Sequence, residues 1–244
     1  MSRIAKAFEK KVYVGYLTAG DAEKGDFLSL VRGGIGLLEV GIPFSDPVAD
    51  GPTIQKAMAR AIEKGTAVGQ TLALVAELRK ETEVPIVLFT YYNPVQKDLR
   101  GFLETAKRSG ADGTLIVDLP LEESREYRRL CREIGLDPIL VIAPSTPPER
   151  IAAICRAGSG FIYYACRKGT TGAREKLPED YREKVAAIRA YTDLPIAVGF
   201  GIAGRSSALA VLKEADGAVI GSYFVEAIEK KEPLIERVRQ CCSN

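Results

Sequence analysis

The sequence predicts an α/β chain folded as a single closed (β/α)8 barrel of the TIM type, on three observations. Short apolar, strand-like runs recur eight times, at residues 12–17, 35–40, 86–90, 114–117, 138–142, 161–165, 195–198 and 218–220. Between each pair lies a segment with helical periodicity and charged faces, such as 122–134 and 178–191. Eight such units in 244 residues favour a closed barrel, which takes about 250, over an open doubly wound sheet. No linker or shift of composition divides the chain, so residues 1–244 are expected to form one domain.

Taken in order, the first run, 12–17, leads to Thr18-Ala19-Gly20-Asp21. The second, 35–40, is continuously apolar except for Glu39 and stops at Gly41 and Pro43, which reads as a strand buried on both faces. Burying an ionised carboxylate is costly. Either Glu39 pairs with a buried Arg or Lys, or its pKa rises into the range that suits a general acid or base. The loop that follows, 41–51, is about ten residues long and carries Asp46 and Asp50 before a helix expected from Thr53. Both aspartates also have structural readings, as a turn residue beside glycine or as a helix cap.

After the sixth run comes a second long connection, 166–178, with Cys166, Arg167, Lys168 and two glycines, Gly169 and Gly172, that suit an opening and closing segment. The seventh run ends in Gly199-Phe200-Gly201 and the eighth in Gly221-Ser222, before a last helix expected from about Tyr223. In this fold the residues that do chemistry sit on the loops after the strands, and the corner beyond strands seven and eight commonly takes phosphate. Amides unshielded by side chains at Gly201, Gly221 and Ser222, with a helix N-terminus behind them, suit an anion, and Gly172 is placed to close over it. Tight strand-to-helix turns are the other use of such glycines.

Composition narrows the functions further. With 34 Lys+Arg against 32 Asp+Glu and no long run of either sign, there is no footprint for nucleic acid or an anionic membrane, so a small-molecule substrate is expected. The first residues lack the apolar core of a signal peptide and no run is long enough to span a bilayer, which points to the cytoplasm. The five cysteines form no C-x-x-C pair, against both a disulfide framework and a zinc site. Histidine is absent, which removes Ser-His-Asp triads, Cys-His pairs and imidazole metal sites and leaves acid–base work to carboxylates, Lys, Tyr or Cys. Cys166, beside Arg167, lacks the histidine that a nucleophilic cysteine usually works with.

The stretch Leu38-Glu39-Val40-Gly41-Ile42-Pro43-Phe44-Ser45-Asp46-Pro47-Val48-Ala49-Asp50-Gly51-Pro52-Thr53-Ile54-Gln55 is similar, almost without a break, to the signature of the tryptophan synthase α subunit family. The resemblance continues through Tyr16-Leu17-Thr18-Ala19-Gly20-Asp21, Tyr91-Tyr92-Asn93-Pro94, Asp118-Leu119-Pro120, Thr171-Gly172, Gly199-Phe200-Gly201-Ile202 and Gly221-Ser222. It implies cleavage of indole-3-glycerol phosphate to indole and glyceraldehyde 3-phosphate, a retro-aldol reaction with no metal or organic cofactor in this chain. It also implies a partner β subunit carrying pyridoxal phosphate, in an α2β2 assembly, for which the loops around 47–54 and 92–94 are the expected contact. By motif position, Glu39 matches the family's acid–base residue, Asp50 its second catalytic carboxylate and Tyr163 an active-site tyrosine. Tyr16, Tyr91 and Thr171 are expected against the substrate, and Gly172, Gly201, Gly221 and Ser222 against its phosphate.

Two departures stand out: the chain has little before its first strand, and Cys166 and Lys168 occupy a segment where the family more often has small or apolar residues. Two other readings compete. In one, Lys168 forms a Schiff base, against which stands its place in a loop rather than a desolvated pocket. In the other, the chain is an idle sugar-phosphate-binding subunit, to which an unpaired buried acid brings nothing.

Overall fold

Eight parallel strands close on one another in strict chain order, β1 through β8, with β8 pairing back to β1. The computed structural model describes residues 1–166, 177–199 and 201–242. The strands are β1 (Val12–Thr18), β2 (Leu37–Gly41), β3 (Ile86–Thr90), β4 (Gly113–Ile116), β5 (Asp137–Ile142), β6 (Ile162–Ala165), β7 (Ile196–Gly199) and β8 (Gly217–Ile220). All eight expected runs are strands, with ends shifted by a residue or two. The helices are α1 (Arg3–Ala7), α2 (Lys24–Gly33), α3 (Pro52–Glu63), α4 (Val68–Arg79), α5 (Leu99–Arg108), α6 (Arg125–Ile134), α7 (Pro148–Ala157), α8 (Tyr181–Arg189), α9 (Arg205–Glu214), α10 (Ser222–Glu229) and α11 (Leu234–Cys242).

The barrel wall is buried on both faces, as a parallel sheet requires. Side chains alternate across it: a Cβ on Gly15 would touch Leu30 and Ile35 in the helical layer, so the next residue, Tyr16, points into the barrel. Register then fixes what surrounds it. Tyr16 pairs with Glu39 on β2, and Thr18 with Gly41 one layer higher.

The pattern of one helix per strand is broken at two connections. Beyond β2 lie two helices, α3 and α4, because Gly65 takes a left-handed conformation (φ 79°) that ends the first before Val68 starts the second. Beyond β8 lie α10 and α11, separated by Lys230–Pro233, with Lys231 at φ 55°. The helix expected last is therefore last but one: α10 starts at Ser222, and α11 closes the described chain by packing against α2. Both additional helices, α3 and α10, pack against each other and against β1.

The N-terminal face of the barrel is sealed by polar chemistry with its partners in place. Arg79, at the end of α4, donates to the carbonyls of Gly110 (3.0 Å), Thr82 (2.8 Å) and Val84 (3.0 Å), and pairs with Asp112 at 2.8 Å. The Asp112 carboxylate also accepts the Ile86 N–H, joining the starts of β3 and β4, and takes a bond from Arg3 of α1. Desolvation pushes the Arg79 pKa down, yet every bond it makes goes to carbonyl or carboxylate oxygen. Arg79→Ala strands Asp112 and three carbonyls, so it is expected to lower unfolding free energy by about 3 kcal/mol. Urea denaturation checks this; a change below about 1 kcal/mol would show that the network merely decorates the surface.

Candidate active site

The C-terminal mouth of the barrel holds a partly open cavity. Glu39, Asp50, Tyr16, Tyr163, Gly201, Gly221 and Ser222 all line it, so seven of the ten residues singled out from sequence meet in one place. Thr171 and Gly172, together with Lys168, lie outside the described residues. Tyr91 is placed differently from the other tyrosines: fully buried, it stands behind Asp50 rather than on the cavity wall.

Glu39 is held by the β2 backbone with its side chain directed inward, and it is 1 % exposed. Among the described residues its Oε1 has no hydrogen-bond partner and no Arg or Lys pairs with it. Of the two sequence readings, the ion-paired structural glutamate is thus not the one observed among the described residues. Burial raises its pKa from 4.5 to about 8.

Asp50, also 1 % exposed, is fixed from two sides. The Tyr91 hydroxyl donates to its Oδ2 at 2.7 Å while accepting the Ala49 N–H at 3.0 Å, and the Gln55 amide donates to its carbonyl at 2.7 Å. It is not the N-cap of the following helix: Gly51 is the N-cap of α3, with Pro52 in the first turn where its missing N–H costs nothing. The negative charge of Asp50 beside Tyr91 adds to burial in pushing the phenol far above its usual range, so Tyr91 remains a donor.

The two cavity tyrosines rest on glycines. A Cβ on Gly41 would stand 2.3 Å from the Tyr16 hydroxyl, and one on Gly199 would stand 2.1 Å from the Tyr163 hydroxyl. Each ring thus occupies the space a side chain would take. Tyr16 bonds Thr18 at 3.2 Å and meets Phe89 edge-on, with ring centroids 5.5 Å apart. At the opposite corner Gly201 has φ 96°, and Gly221 is the N-cap of α10 with no side-chain cap. That helix end faces the cavity with its positive dipole. Phe89, Ile54, Ile202 and Val219 complete the wall. Sequence reasoning passed over them because apolar residues within apolar runs carry no mark of a site; the strand alternation around Phe89 was the one available clue.

Residues 3–243 match the family model described as tryptophan synthase alpha chain. The chain belongs to the tryptophan synthase alpha chain family. A family member from Coxiella burnetii is 48 % identical over 233 residues, covering 93 % of this chain and 91 % of that protein. Among solved structures, tryptophan synthase from Mycobacterium tuberculosis superposes with a TM-score of 0.93 at 32 % identity, covering 99 % of this chain and 97 % of that one. A chain from the tryptophan synthase a2b2 complex of Pyrococcus furiosus gives 0.88 at 39 % identity, over 95 % and 98 %. Members of the tryptophan synthase alpha family are enzyme subunits of the lyase type, and cleavage of indole-3-glycerol phosphate in tryptophan biosynthesis is the family's reaction.

The buried acid of this family member has a measurable consequence for folding. Because the folded state holds the Glu39 proton more tightly than the unfolded chain does, the penalty is absent below pH 4.5, grows as pH rises toward about 8, and is constant above. Glu39→Gln is therefore expected to stabilise the chain above that range, by up to about 5 kcal/mol, with the gain vanishing in acid. Thermal unfolding of both chains across pH tests this, and a pH-independent difference would contradict it.

Proposed function

We propose that this chain cleaves indole-3-glycerol phosphate to indole and D-glyceraldehyde 3-phosphate by a retro-aldol reaction in which Glu39 is the acid and base, Asp50 the electrostatic stabiliser and Tyr163 the wall beside them. One observation carries the reading: a carboxyl with an unpartnered oxygen, raised to a pKa near neutrality, opens into the same cavity as a second, firmly held carboxylate. Breaking the bond between indole C3 and the glycerol chain needs a proton on C3 and the loss of a proton from the adjacent hydroxyl. Glu39 in its acid form delivers the first, giving an indoleninium. As its carboxylate it then takes the hydroxyl proton while the C–C bond electrons return to the ring, which releases aldehyde and indole and restores the acid.

The positive charge formed midway reaches the indole nitrogen. Asp50, accepting that N–H, stabilises it in a cavity where water does not weaken the interaction. Tyr91 holds this carboxylate in place and does so as a neutral donor. Tyr16 bounds the indole side with Phe89. Gly201, Gly221 and Ser222 receive the phosphate at the N-terminus of α10.

The name of the P. furiosus complex supports an α2β2 assembly here, in which a partner β subunit carrying pyridoxal phosphate takes up the indole and this chain needs no cofactor of its own. The loop before α3 exposes Val48 to 75 %, an apolar surface suited to that subunit. No described helix is long and apolar enough to cross a membrane, which agrees with a cytoplasmic site of action.

Incubation of the purified chain with indole-3-glycerol phosphate, with and without a β subunit, tests the reading by indole release. Glu39→Gln is expected to abolish release while glyceraldehyde 3-phosphate still binds, and Asp50→Asn to reduce it about 10²- to 10³-fold. Since the acid form acts first, kcat/KM should fall as pH rises through about 8. Near-normal turnover in Glu39→Gln would remove the proposal.

A further inference from the structure

Arg60, near the end of α3, lies outside the cavity yet joins three of the segments that form it. Its guanidinium grips Asp21 with two bonds, Nε to Oδ1 at 2.7 Å and a terminal nitrogen to Oδ2 at 2.9 Å. Its other terminal nitrogen reaches Glu229 at 3.4 Å. Asp21 stands three residues past the end of β1, the strand of Tyr16, and its side chain is 5 % exposed. Glu229 ends α10, whose first residue is Ser222. Nearby, Lys64 donates to the Gly20 carbonyl at 3.0 Å, and Thr66 fills the space a side chain on Gly20 would need.

From this geometry we infer that Arg60 is a positioning residue for the reaction: it seats α3, and so Asp50 at the head of α3, against both the end of β1 and the phosphate-facing helix α10. The inference rests on the assignment of Asp50 proposed above. Apolar packing between two helices leaves small tilts and slides inexpensive, whereas a two-pronged guanidinium–carboxylate pair fixes orientation as well as distance. Arg60 is eight residues from Pro52, the first residue of α3, about 12 Å along the helix, so a tilt of about 5° about that end displaces the segment carrying Asp50 by about 1 Å. A shift of that size in a catalytic group costs up to about 10²-fold in rate.

The experiment is a double-mutant cycle in the cleavage of indole-3-glycerol phosphate, followed in single turnover with enzyme in excess, for the wild type, Arg60→Gln, Asp50→Asn and the double variant. Arg60→Gln alone is expected to slow cleavage about 10- to 100-fold with half-saturation changed less than about threefold. In the Asp50→Asn background it should cost less than about twofold, because the group being positioned has already lost its charge. Equal losses in both backgrounds overturn the positioning role and leave the Asp50 assignment standing. A fully active Asp50→Asn chain overturns that assignment and this inference together. If Arg60→Gln does not fold, Asp21→Asn removes the same grip with almost no change of shape, and the same comparison decides.

Discussion

The cost of keeping one carboxyl dry governs this structure. Glu39 sits in a strand whose other residues are apolar, and none of the described residues brings a cation to it, so the folded chain accepts a carboxyl that ionises only near pH 8. A single lysine or arginine within reach would relieve that cost and lower the pKa, and the group would then be an ordinary carboxylate unable to lend its proton at neutral pH. The described neighbours respect this: Tyr16, Tyr163 and Phe89 bring bulk without charge, and the one other carboxylate among the described wall residues, Asp50, is turned to a phenol that stays protonated.

Much of this was legible in the chain because it depends on single chemical exceptions. Glu39 is the one charged residue in its apolar run, and Gly221-Ser222 follows an apolar strand directly, so both announce themselves. The strands were readable for the same reason, since parallel strands buried on both faces must be continuously apolar. What needed coordinates was anything that depends on two distant positions. Tyr91 acts on Asp50 across 41 residues of sequence, and the rings of Tyr16 and Tyr163 fit only because Gly41 and Gly199 lie beneath them. The second helix of each pair was missed because the breaks are brief: Gly65 in one case, and in the other a lysine forced into positive φ ahead of Pro233.

The two ends of the barrel divide the labour of stability and chemistry. At the N-terminal face, Asp112 and Asp216 each accept a strand N–H and an arginine, so buried polar groups there are satisfied and the strand starts are tied together. At the C-terminal face the Glu39 oxygen has no such partner among the described residues. An unmet polar group within a rigid, well-bonded frame cannot be relieved by local rearrangement, which is what allows the perturbed acid to persist.

The departures from eightfold regularity follow the same logic. A regular barrel would direct one helix N-terminus beyond each strand and favour no direction across its mouth. Here α3 and α10 both pack against β1, so two helix heads look into the cavity, one preceded by the Asp50 carboxylate and the other with glycine at its N-cap. On the function proposed above, the first receives an N–H that becomes positive and the second an anion. On that proposal, a substrate with an indole at one end and a phosphate at the other lies with its breaking bond toward Glu39. Because the two heads belong to helices that touch, their separation depends on whatever ties those helices together, and Arg60 bonded to both Asp21 and Glu229 is where that tie is made.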